Sequence, residues 1–221
     1  MTFAEIAHIL VVWTPFLADG FLWNILISLV AMAVGTALGA VLARLRLSGR
    51  KSLAHMGLAA TELTRNIPTF VFLFYLAFLV PVEFEVLGQI YAFPAWLKAS
   101  LALSVAVVGF VSDNLLVAGQ HWRNGNRPAA LLFIPSWTMY LVIIVMASST
   151  ASVIGVGEIV SRCNVVIAAV SGDEMMVWVY VYAIGYFFGF CFPVNWAMGR
   201  VKKRLLARVG GAPTRECGEC G

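Results

Sequence analysis

Charge is what this sequence has least of. Only 12% of its 221 residues are Asp, Glu, Lys or Arg, where a soluble domain carries about 25%. Hydrophobic side chains make up 61%, and the mean hydropathy is +0.89. A chain this apolar has too little polar surface to stand in water. That excludes a secreted or cytosolic globular protein, a disordered chain and a nucleic-acid binder. The pI near 9.0 therefore reads as basic loops on one side of a bilayer, not as a DNA-binding face. Four cysteines are too few for a disulfide framework in such a chain. Cys217 and Cys220 supply two of the four ligands a structural zinc needs, so they read as part of a plain tail. His8, His55 and His121 are scattered. There is no GxxxxGK[ST] loop, no Ser/His/Asp set and no cluster of metal ligands. The expectation is a non-enzyme with no metal and no cofactor of its own.

What is present is long apolar runs. A bilayer core takes about 20 apolar residues per helix. Gly20–Ala43, Ala95–Ala118, Pro128–Ala147 and Met175–Met198 meet that plainly, and Leu53–Val80 is long enough but interrupted. Phe3–Ala18 is apolar but carries Glu5, His8 and Pro15. It reads as an amphipathic segment at the interface, and not as a signal peptide, since it has no basic n-region. Twelve of the fifteen cations fall in the loops Arg44–Lys51 and Arg123–Arg127 and in the tail from Arg200; Lys98 and Arg162 fall on the other side with seven acids. The positive-inside bias then predicts an all-α integral membrane protein. It has five spans, the N-terminus outside and the C-terminus cytoplasmic. The expected organisation is an amphipathic segment (1–19), a five-helix domain (20–205) and a cytoplasmic tail (206–221).

Small residues crowd the first span, with Gly35 and Gly39 in a GxxxG step; Gly185 and Gly189 repeat the step in the last span. Such steps let backbones approach closely in lipid, within one chain or between subunits.

Three polar sites interrupt the spans. In the second, Glu62 and Arg65 stand at i,i+3 and can pair on one helix face, with Asn66 beside them. Pro68 follows, with no N–H and with a ring that crowds the carbonyl of Thr64, so the helix should bend or break there. Intramembrane ionisable residues are functional candidates by default, although this pair also works as a self-neutralising staple at the break. In the third span, Asp113 either serves the interior or reaches headgroups or Arg123. After the fourth span, Ser148, Ser149, Thr150 and Ser152 precede Gly155 and Gly157. These glycines allow the chain to leave the helix. The hydroxyls either line a solute route or bond back to their own helix carbonyls.

At the second span the sequence resembles a family. Glu62-Leu-Thr-Arg65-Asn66-Ile-Pro68 is similar to the E-x-x-R-[GN]-x-P signature of membrane permease subunits of polar amino acid ABC importers. Ser148-Ser-Thr-Ala-Ser-Val-Ile-Gly-Val-Gly-Glu158 resembles that family's Thr-Ser-Leu…Ser-Val-Ile-Gly-Val…Glu segment. Phe110-Val-Ser-Asp113 stands where the family has an aromatic followed by Ala-Glu. The resemblance covers about residues 20–205. It departs at Met146-Ala147, where Lys-Asp is usual, and near Asn24, where a Thr is usual. The largest departure is the loop from Gly119 to Pro128. The family carries a helix there that docks on the ATPase, and about twenty residues, some 30 Å of helix, are missing.

The resemblance implies a permease subunit of the bacterial inner membrane that forms part of the path for a small polar solute, an amino acid or a related compound. It implies a path lined by Glu62, Arg65, Asn66, Asp113, Ser148, Ser149, Thr150 and Ser152, broken at Pro68, Gly155 and Gly157. It implies a coupling surface at Arg123, Asn124 and Arg127. The implied partners are a second permease subunit, identical or homologous, a cytoplasmic ATPase dimer that holds ATP and Mg, an extracytoplasmic solute-binding protein and membrane lipids, with no nucleic acid. The shortened loop keeps a second reading open: a permease-derived assembly or regulatory subunit that does not transport.

Overall fold

The computed structural model describes residues 3–81, 83–86, 89–170 and 173–210. Among the described residues the regular structure is helical apart from one short hairpin. Helix α1 runs Phe3–Arg46, α2 Lys51–Asn66 and α3 Thr69–Leu79. Strands β1 (Glu83–Val86) and β2 (Gln89–Ala92) pair antiparallel, with Glu83 opposite Ala92. Helix α4 spans Ala95–Arg123, α5 Arg127–Leu131 and α6 Phe133–Ala147. A 3-10 turn covers Ser148–Ile154, followed by α7 (Ile159–Val170) and α8 (Asp173–Gly210).

Among the described residues four stretches are long and apolar enough to cross a membrane: Phe3–Arg46, Ala95–Arg123, Arg127–Ile154 and Met175–Val209. The fifth expected span, Leu53–Val80, is divided between α2 and α3, and neither piece alone is long enough. Pro68 is the cause. It pushes Ile67 into an extended conformation (φ −91°, ψ 125°), as a residue before proline must be. The next helix then starts from the Pro68 carbonyl, which accepts the Val71 N–H at 2.9 Å.

The expected boundary at residue 19 falls inside α1. Its 44 residues make a rod of about 66 Å, twice the hydrocarbon thickness of a bilayer. Pro15 is carried within it. Ile6 and Leu17 from its first half are buried in one cluster with Phe21 and with Ile159, Cys163, Val166, Met175 and Val179 of α7 and α8. This packing holds the segment from Ile6 to Leu17 against α7 and α8. A second cluster joins Ile27, Ala31 and Met32 of α1 to Leu73, Leu103, Val107 and Val111.

The two glycine steps differ. A methyl at Gly35 would sit 2.4 Å from Cβ of Val107, and one at Gly39 would sit 2.8 Å from Cβ of Val111. The first step is therefore the seam between α1 and α4 within the chain. At Gly185 and Gly189 nothing lies within 4 Å of an added methyl, and the α8 step is exposed, lining the open groove between α8 and α1.

A polar cavity at the helix break

The break between α2 and α3 opens a cavity of about 440 Å³, walled by Thr64, Arg65 and Pro68 on one side and by Phe110, Asp113, Asn114 and Tyr140 on the other. Gly109 makes the approach possible, because a methyl there would lie 2.8 Å from Cγ of Arg65. Across the gap, Arg65 Nη1 donates to Asp113 Oδ2 at 2.9 Å. Asp113 Oδ1 accepts from Arg46 Nη1 at 2.7 Å, and that same nitrogen reaches Ser112 Oγ at 3.1 Å. The hydroxyls of Ser112 and Thr61, both fully buried, share a 2.8 Å hydrogen bond. One carboxylate thus ties the end of α1, the end of α2 and the middle of α4.

The expected partnerships are revised here. Glu62 lies 3.8 Å from Arg65, against 2.9 Å for Asp113. Glu62 is also half exposed, where an ion pair is worth at most about 1 kcal/mol. Asp113 is therefore the main partner of Arg65, and Glu62 and Asn66 stay outside the cavity wall, joined by a long 3.4 Å contact. Asp113 does not meet Arg123. Ten residues along a helix are about 15 Å, whereas Arg46 is brought alongside by the packing of α1 on α4.

The opposite wall is aromatic. Phe110 and Tyr140 stack with centroids 3.9 Å apart and planes 2° from parallel. Tyr140 donates its hydroxyl proton to the Ala106 carbonyl at 3.2 Å, and Asn114 donates to the Phe110 carbonyl at 2.9 Å. The space therefore offers a guanidinium with unused donors, an amide oxygen and an aromatic face. A small molecule carrying a carboxylate and some apolar surface fits that chemistry. A larger groove of about 820 Å³ lies between α1 and α8, but its lining is almost wholly apolar and it carries no charged group.

The hydroxyl run does not join the cavity. Ser149, Thr150 and Ser152 each donate to the carbonyl three residues back, at 2.8 to 2.9 Å, which is the bonding a 3-10 turn puts in reach. Gly155 ends that turn with φ +84°, a conformation that favours glycine. Gly157 presents its carbonyl to Arg162 Nε at 2.9 Å. Ser148 belongs elsewhere. It accepts from Asn24 Nδ2 at 2.9 Å, and the same amide nitrogen donates to Glu158 Oε2 at 3.0 Å. Asn24 Oδ1 accepts the Ile159 N–H at 3.1 Å. Glu158 caps α7, accepting the amides of Val160 and Ser161 at 3.1 and 2.9 Å. Burial pushes the Glu158 carboxyl pKa up, while the hydrogen bonds from Asn24, Ser161 and Val160 hold it down. Sequence reasoning missed this cluster; the signals able to find it are a lone Asn in an apolar span and an acid directly before an apolar helix.

Two residues counted as outer-face charges are buried. Glu158 is one. Lys98 is the other, 3% exposed, with Nζ donating to the Val80 carbonyl at 2.5 Å and the Ala77 carbonyl at 3.4 Å. It satisfies the carbonyls freed at the C-terminal end of α3.

The basic turn between α4 and α6 is exposed. Asn124 ends α4, Gly125 takes φ +77°, and Asn126 caps the five-residue α5 by accepting the Ala129 N–H at 3.2 Å. Arg127 lies over the Trp122 ring at 5.6 Å, and Arg123 is exposed. No longer helix stands in this connection. Among the described residues no three His, Cys, Asp or Glu side chains gather to hold a metal. Cys217 and Cys220 lie outside the described residues.

Taken together, this is a polytopic helical membrane fold with a charged, polar cavity beside a broken helix. No protein-family model matches the chain, and no curated protein matches it in sequence. A solved structure does match in fold: the crystal structure of an amino acid ABC transporter with histidines, at 15% identity and a TM-score of 0.73, over 92% of this chain and 99% of that one. The chain thus has an ABC-permease-like fold.

Proposed function

We propose that the chain is a transmembrane permease subunit of an ABC importer, and that the cavity at the α2–α3 break is part of the path for a small polar solute, an amino acid or a related compound. The observation that carries this reading is the Arg46–Asp113–Arg65 cluster. It places a half-exposed guanidinium on a cavity between helices, where charge is costly unless it serves a function. The fold shared with an amino acid ABC transporter supports it. Glu62 and Asn66 stand at the mouth, and the hydroxyl turn lies outside the cavity. In this reading the N-terminus is outside, the C-terminus is cytoplasmic and the membrane is the bacterial inner membrane. ATP and Mg bind a partner ATPase, and an extracytoplasmic binding protein delivers solute. A second permease subunit packs on the exposed face of α8, where Gly185 and Gly189 leave the backbone open.

One observation favours a second reading. The connection from Arg123 to Phe133 holds only α5, five residues long, too short for a docking helix. The chain would then be an assembly or regulatory subunit beside a permease that keeps its coupling helix, with Arg123, Asn124 and Arg127 as a contact surface. Uptake of labelled amino acids by proteoliposomes holding the copurified complex separates the two. The permease reading expects Arg65→Leu to change uptake with the complex intact. The assembly reading expects the complex to fall apart with solute preference unchanged. Uptake that persists after the chain is deleted sinks the first reading.

A further inference from the structure

We propose that the last three turns of α8 form a binding ridge for anionic phospholipid headgroups. From Met175, 20 residues of helix cover about 30 Å, the thickness of a bilayer core. Trp196 therefore falls at the membrane edge, where tryptophan is favoured. It is 54% exposed, and the Arg200 guanidinium lies over its ring, 3.4 Å from the centroid. Beyond it, Arg200, Lys203, Arg204 and Arg208 are all exposed. At 3.6 residues per turn they occupy one arc of about 140°. Val201, Leu205 and Val209 are partly buried on a different face. Four of the five described cations at the end of α8 thus gather on one side, while Lys202, also exposed, stands about 100° or more outside that arc.

Among the described residues no acid answers that charge. No Asp or Glu occurs between Met175 and Gly210, and among the described residues none of these cations pairs with an acid. Arg200 stands level with the headgroups. Lys203 and Arg204 lie about 6 Å further along the axis and Arg208 about 12 Å, near the Debye length of about 10 Å at 0.1 M salt. Juxtamembrane clusters of four or more cations attract anionic lipid in this way. The binding needs only the helix and the bilayer, so it does not depend on the transport reading.

The test uses the full chain reconstituted in phosphatidylcholine, with spin-labelled phosphatidylglycerol or spin-labelled phosphatidylcholine as the probe lipid. The fraction of immobilised label gives relative association. The expected result is a preference of about threefold or more for phosphatidylglycerol, lost in the variant Lys203→Gln, Arg204→Gln, Arg208→Gln. Salt at about 0.5 M removes it as well. The variant Arg44→Gln, Arg50→Gln, Lys51→Gln, which removes three exposed cations where α1 passes into α2, keeps most of the preference. Equal association of the two lipids would overturn the proposal and leave the ridge to an acidic protein surface. Loss of preference in the Arg44 variant but not in the Lys203 variant would also overturn it.

Discussion

Two polar clusters lie inside this bundle, and they are built differently. In the first, Asn24, Ser148 and Glu158 are all fully buried, and the amide of Asn24 and both carboxylate oxygens of Glu158 are bonded. In the second, Asp113 is shared by two arginines, Arg65 is half exposed, and about 440 Å³ of open space lies alongside. A polar group buried in an apolar interior must be fully satisfied to be tolerated. The first cluster meets that condition and acts as a staple between α1, the 3-10 turn and α7. The second keeps guanidinium donors free and faces a space, so it is the one able to exchange partners.

That contrast can be broken by removing the acid from each cluster in turn. The largest effect on stability belongs to Glu158→Ala. It leaves the amides of Val160 and Ser161 and one of the two Asn24 amide protons without an acceptor in a site largely shut from water, at a cost of about 3 kcal/mol. Thermal unfolding in detergent should drop accordingly, with solute preference unchanged in the molecules that remain folded. A variant as stable as the parent would show that this cluster is not a staple. Asp113→Leu comes next, at about 2 kcal/mol, because it leaves Arg46, 12% exposed, with no acid. Uptake should also fall by roughly tenfold or more, about 1.4 kcal/mol in the barrier, and the two effects are separated by comparing melting with transport.

The two clusters were not equally legible in the sequence. Glu62, Arg65, Asp113 and Pro68 stood out because charge and proline are rare within apolar runs, and the break falls where Pro68 requires it. The pairing inside the cavity was not legible. It depends on Gly109 letting Arg65 reach α4, and on α1 lying along α4 so that Arg46 arrives beside Asp113. Neither fact is local to any motif. Lys98 and Glu158 were read as outer charges because both flank apolar runs, and only the packing of α3 and α7 shows them buried. The hydroxyls of Ser149, Thr150 and Ser152 read by composition equally as lining for a route or as groups bonded back to the helix, and the 3-10 turn puts each within reach of the carbonyl three residues back. The hairpin of β1 and β2 was missed because four-residue strands carry little periodic signal.

Arg65→Leu sharpens the comparison from the other side. Its guanidinium is 52% exposed, so removing it should cost less than about 1 kcal/mol of stability. Asp113 keeps Arg46 as a partner at 2.7 Å. The permease reading nevertheless expects a large fall in uptake, since the free donors of the cavity are lost. Uptake and melting temperature that fall together in proportion would assign Arg65 a structural role like that of Glu158.

The smallest effect is expected at Glu62, and it tests whether the cavity is bounded as described. Glu62 sits 3.8 Å from Arg65 and is 49% exposed, and it does not line the space. Glu62→Gln removes one charge while preserving shape, so stability should change by no more than about 0.5 kcal/mol. Its effect on uptake should be well below that of Arg65→Leu, because Asp113 continues to hold the guanidinium in place. Parallel uptake measurements on Glu62→Gln, Arg65→Leu and the double variant decide the point. If the single Glu62 change matches the Arg65 change and the double adds nothing, Glu62 is the working partner of Arg65, and the path runs along the exposed side of α2 instead of through the cavity against α4.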